Sequence, residues 1–89
     1  MSNLEKFPGL KSGQVALMRA DINTGIVLDD QYHYATTPMQ HVYTVYASSE
    51  EGLRSAKAIV IERGNVECVL YDEGEKLLYY ITPQNVDSH

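Results

Sequence analysis

The residues able to do chemistry are few and scattered. His33 and His41 are the types that ligate metals or act as general bases, and Asp29 and Asp30 lie just before the first of them. A zinc centre needs three or four nitrogen, sulfur or oxygen ligands drawn together, usually announced by close His or Cys spacing. This stretch has no nearby cysteine and no tight pair of histidines, so Asp29, Asp30, His33 and His41 are weak ligand or metal candidates, and ordinary surface is the plainer account of them. No metal or cofactor is expected. Cys68, the sole cysteine, falls in the middle of an apolar run. Reactive thiols need exposure and positive surroundings, so it reads as an inert buried side chain. Asp72, Glu73 and Glu75 surround Gly74 without the length or ligand spacing of a calcium loop, and suit a solvated turn. Glycine-rich phosphate loops, H-E-x-x-H and G-x-S-x-G are all absent from the sequence, so catalysis has no motif to support it.

Composition narrows the field further. The chain has 89 residues, 44% hydrophobic and 21% charged, which suits a single folded domain with one core rather than a disordered chain. Twelve carboxylates against seven Lys and Arg leave a formal charge of −5. The basic residues form no stripe that would replace phosphate counterions, so nucleic acid is not an expected partner. Negative charge also opposes adsorption to anionic membranes, and no run approaches the roughly 20 apolar residues that cross a bilayer. With no apolar block near the N-terminus and one unpaired cysteine, the expected compartment is the cytoplasm.

The elements that would position these residues follow from periodicity. Gln14 to Ala20 alternates like a strand, Asp21 to Gly25 has turn chemistry, and Ile26 to Asp29 is the returning strand. His41 to Ala47 is a strand by β-branched and aromatic content. Ser48 with Glu51 three positions later has capping-box spacing, and a helix from Ser49 to Arg63 places Leu53, Ala56 and Val60 on one stripe. Gly64 and Asn65 stand where a left-handed C-cap would end it. Ile59, Val60 and Ile61 are three β-branched residues in a row, so 58–62 also fits a strand; the capping signal favours the helix. Val66 to Asp72 and Lys76 to Thr82 form a hairpin. The terminal stretches 1–12 and 84–89 read as loose, although Ser2 and Glu5 have the spacing to cap a single turn. The expectation is an α+β, two-layer sandwich of a mainly antiparallel sheet of about five strands in the order β-β-β-α-β-β, with one main helix.

Sorting the last hairpin by face exposes a problem of cover. Val66, Cys68 and Leu70 share one side with Leu77, Tyr79 and Ile81, while Val69 and Tyr71 share the other with Leu78 and Tyr80. Both sides are apolar, and one helix about 10 Å wide shields only one. Either the first hairpin, Val15 to Leu28, folds over the second side, or Tyr43, Val69, Tyr71, Leu78 and Tyr80 form a surface for a homodimer or another protein. The expected function is therefore a non-enzymatic protein-interaction module, of which an acidic inhibitor or immunity-type protein is one concrete form. The alternative is a small-molecule-binding protein or minor enzyme with a pocket between helix and sheet or at a dimer seam.

Overall fold

The computed structural model describes residues 4–89. Its strands are β1 (Val15–Asp21), β2 (Val27–Leu28), β3 (Tyr43–Tyr46), β4 (Val66–Tyr71) and β5 (Leu77–Ile81), with helix α1 (Ser49–Glu62) between β3 and β4. The α+β order read from the sequence is thus the order observed, and all strand pairs are antiparallel. β1 is central. One of its edges pairs with β4, which in turn pairs with β5. Its other edge is shared end to end: β3 lies opposite Val15 to Met18, and β2 lies opposite Arg19 and Ala20.

Local chemistry explains the connections. Between β1 and β2 the Asp21 carboxylate accepts the Asn23 N–H at 2.8 Å, and Gly25 takes φ +75°, a left-handed conformation cheap only without a Cβ. Ser48 sits in extended backbone before α1, and its hydroxyl accepts the Glu51 N–H at 3.2 Å. Glu50 and Glu51 lie in the first turn, where the helix dipole favours negative charge. Helix wins over strand at 58–62 because the 3.6-residue period brings Val60 into register with buried Gly52 and Ala56. Ile61 then points outward and stays exposed.

The helix does not end as its sequence suggests. Gly64 is not left-handed: among the described residues, positive φ at glycine occurs only at Gly13 and Gly25. The turn is made instead by Arg63 in extended conformation, whose N–H donates to the Ile59 carbonyl and whose carbonyl accepts the Val66 N–H at 3.1 Å. Asn65 offers its carbonyl to the Ile22 N–H at 2.9 Å, so the chain enters β4 already tied to the β1–β2 turn.

The core lies between α1 and one face of the sheet. Val15, Leu17, Leu28, Ala56, Val60, Val66, Cys68, Leu70 and Ile81 are buried together there, with Tyr32, Tyr46, Leu53, Ile59, Tyr79 and Val86 packed at its margin. The termini are less loose than their composition implies. Val86, in a 3-10 turn over Val86–Ser88, packs on the core, and the His89 ring meets Tyr79 edge-on. The turn expected from Ser2 falls outside the described residues. Glu5 itself caps something else.

Candidate functional site

Strand register assigns the second face of the sheet. Ala16, Met18 and Ala20 of β1 point away from α1, and their partners across the ladders are Val45, Tyr43 and Val27 on one side and Tyr71, Val69 and Glu67 on the other. Val69 is paired in turn with Tyr80. The first hairpin does not fold over this face, as one reading of the sequence expected, because β1 is the middle of the sheet itself. Part of the cover comes from the N-terminal segment. Phe7 meets Tyr43 edge-on at 5.3 Å between ring centroids and Tyr71 at 5.9 Å. Those two tyrosines stand on the strands flanking β1, so the Phe7 ring lies across β1, where Ala16 is fully buried.

Glu5 pins this segment in place. Its carboxylate accepts the N–H groups of Val42 at 2.9 Å and Tyr43 at 3.1 Å, and its other oxygen meets His41 Nδ1 at 3.3 Å. Burial works to raise the Glu5 carboxyl, but the hydrogen bonds from Tyr43, His41 and Val42, with the charge of His41, outweigh it and hold the group below its ordinary range. At the other end of the segment, the Gly13 N–H donates to Glu73 at 2.9 Å.

The structure therefore divides the five residues singled out in the sequence. Tyr43 and Tyr71 are half-buried beneath Phe7, and burial, then the nearby Tyr71 and carboxylates, raises the Tyr43 hydroxyl above its ordinary value. Val69 is half-buried, while Leu78 remains 37% exposed and Tyr80 46% exposed. The Tyr80 hydroxyl donates to Glu67 across the ladder, and that hydrogen bond is the main reason its own proton is held more tightly than usual. A register shift between Leu70 and Tyr71 puts Leu77 opposite Tyr71. Leu77 is consequently 53% exposed and does not join the helix-covered side, where strict alternation places it.

Comparison with protein-family models, with curated proteins and with solved structures finds no match for this chain.

The His and Asp group resolves into a loop scaffold. Asp29 is buried, and its carboxylate accepts the N–H groups of Gln31 and His33, both at 2.9 Å, and the Gln40 amide at 2.8 Å. The Gln40 and His33 hydrogen bonds lead the effects that hold the Asp29 carboxyl below its usual range. Asp30, His33 and His41 are exposed, and His41 turns toward Glu5. No group of three or more His, Cys, Asp or Glu that could hold a metal ion occurs among the described residues. Nor, among them, is any helix long and apolar enough to cross a membrane.

Sequence reasoning missed a second locus on the helix side of the sheet. Arg19 lies between Leu28 and Cys68 across the ladders and is only 5% exposed. One terminal nitrogen donates to the Thr44 hydroxyl, while Nε and Nη1 are buried without a hydrogen-bond partner among the described residues. Its guanidinium lies 5.8 Å from the centroid of the Tyr32 ring, and the Arg63 guanidinium covers the same ring at 3.6 Å. A buried cation with idle donors is costly, on the order of 1–3 kcal/mol for each unsatisfied group. The one sequence signal was an arginine at a core-facing position of an alternating strand.

Proposed function

We propose that this chain is a non-enzymatic protein-interaction module that docks through the uncovered part of its second sheet face, by self-association or onto another protein. The observation that carries the reading is the uneven cover of that face. Phe7 occupies the β1 end, whereas Val69, Leu78 and Tyr80 form a half-open apolar strip continuous with exposed Leu77 on the edge strand. Tyrosine and leucine are suited to such a surface, because each buries large area and tyrosine keeps a hydroxyl for the rim. The Glu67 to Tyr80 hydrogen bond presets one of these rings and lowers the entropy lost when a partner lands on it. An acidic inhibitor that neutralises a basic protein is one form the module would take, with the cytoplasm as its setting; the formal charge of −5 would speed such an encounter.

Sedimentation of the wild-type chain beside Leu78→Glu and Tyr80→Glu tests self-association. A wild-type dimer with both variants folded and monomeric supports it. A wild type that is monomeric alone, and that affinity capture and chemical cross-linking both fail to pair with any protein through Leu78 or Tyr80, overturns the interaction reading.

A further inference from the structure

We propose that Arg19, Arg63 and Tyr32 form a binding site for a compact oxyanion, a phosphoryl or carboxylate group, between the sheet and the C-terminal end of α1. The site lies on the opposite side of the sheet from the docking face and does not depend on it. Arginine keeps its charge in any protein setting, so burial of Arg19 is not relieved by losing a proton. Its Nε and Nη1 are without a partner among the described residues. Nη2 carries one hydrogen on the Nε edge and one on the Nη1 edge; Thr44 takes one of them, so the other, with the idle nitrogen beside it, still makes a planar fork for two oxygens of a carboxylate or phosphate. Thr44 holds the remaining terminal nitrogen and so fixes the orientation of the fork.

A second cation converges on the same place. Arg63 stacks on the face of Tyr32, and Arg19 approaches that ring too. Neither arginine is in an ion pair: among the described residues the ion pair is His41 with Glu5. In a chain with twelve carboxylates and seven Lys and Arg, two guanidinium groups gathered on one ring with no carboxylate paired to either concentrate positive charge locally. The C-terminal end of α1 opposes an anion, so the site needs both guanidiniums rather than one.

Tyr32 must move for this site to fill. It holds φ +66°, a conformation unfavourable for a residue with a bulky side chain, and it is kept there by the Asp29 turn through its N–H to the Asp29 carbonyl at 3.0 Å. Arg19 Nε and Nη1 are buried, so an anion reaches them only if this half-buried ring and the exposed Arg63 side chain swing aside.

Thermal unfolding in inorganic phosphate and in acetate, each against chloride at matched ionic strength, tests the site, because an anion that binds only the folded chain raises Tm in a saturable way. Phosphate also stabilises proteins generally by exclusion from their surface, so Arg63→Gln is the control that retains the fold and loses one cation. The expected result is a saturable rise for the wild type, an affinity at least about tenfold weaker in Arg63→Gln, and a shift of the Arg19 Nε–H resonance that saturates over the same concentrations. A larger response to phosphate than to acetate identifies a phosphoryl ligand, and the reverse a carboxylate. An equal, non-saturating rise in both proteins, or an Arg19 resonance that neither anion moves, overturns the proposal. Arg19→Met should abolish the response if it folds; if it does not fold, Arg63→Gln and the resonance decide.

Discussion

Arg19 and Cys68 stand opposite one another on β1 and β4, on the same side of the sheet, and burial treats them in contrary ways. The guanidinium cannot discharge, so its surroundings must accommodate it. The thiol can, and burial pushes its pKa up to about 12, with nearby Arg19 pulling down and Glu67 adding a small upward push. An acid raised in this manner is neutral in the folded chain, and at pH 8 only on the order of one folded molecule in ten thousand carries the thiolate that reacts. Alkylation of Cys68 in native buffer is therefore expected to proceed only as fast as the chain unfolds, and to become rapid in denaturant. Native labelling at the rate of a free cysteine would contradict this burial.

At the scale of elements, Gly52 is the glycine most closely approached, where α1 packs on β1 and β4. A Cβ placed on Gly52 would lie 2.7 Å from Val15 Cγ2 and 3.1 Å from Leu70 Cδ2. Val15 is β-branched and central in the sheet, so its methyl group has little room to yield. Gly52→Ala gains about 1 kcal/mol of helix propensity, yet the overpacking should exceed this and leave the variant less stable by roughly 1–2 kcal/mol. Gly64→Ala meets nothing within 4 Å and has no left-handed backbone to lose. It should be neutral or slightly stabilising. Urea unfolding of the two variants reads both signs, and a stabilised Gly52→Ala would show that the helix can lift off the sheet at little cost. The sequence carried the N-cap of α1, the strands and the helix-covered face of β4, because Ser48, the alternation of Val66 to Leu70, and the stripe through Val60 are short-range signals; the C-cap read at Gly64 and Asn65 is not the one formed. It did not carry the cover of the second face. Phe7 sits among Pro8, Gly9 and Gly13, and its partners Tyr43 and Tyr71 lie far along the chain. Nor does any local pattern foretell that Glu5 caps Val42 and Tyr43, that β2 and β3 share one edge of β1, or that a register shift frees Leu77. Alternation gave the face of Tyr43, Val69, Tyr71 and Tyr80, but not how far each is exposed.

At the scale of the whole molecule, shape and charge act together. The chain is a slab of 34 × 33 × 19 Å and carries a formal charge of −5. Two copies meeting face to face through Val69, Leu78 and Tyr80 would set the Glu67 carboxylate of each, hydrogen-bonded to Tyr80, at the seam, with carboxylates elsewhere on the two copies up to a few tens of ångströms apart. That separation is comparable with the Debye length of about 30 Å at 0.01 M salt and far beyond the roughly 8 Å at 0.15 M. Repulsion between copies is thus felt at low salt and largely screened at moderate salt, while the apolar contact itself depends little on screening. Self-association should therefore tighten when sodium chloride is raised from about 10 mM to about 150 mM. A basic partner would respond with the opposite sign, because screening removes attraction in place of repulsion. Sedimentation equilibrium at the two salt concentrations measures the first case directly. Dimers that instead loosen as salt is added would be held by ion pairs between copies, and the apolar strip would not be what joins them.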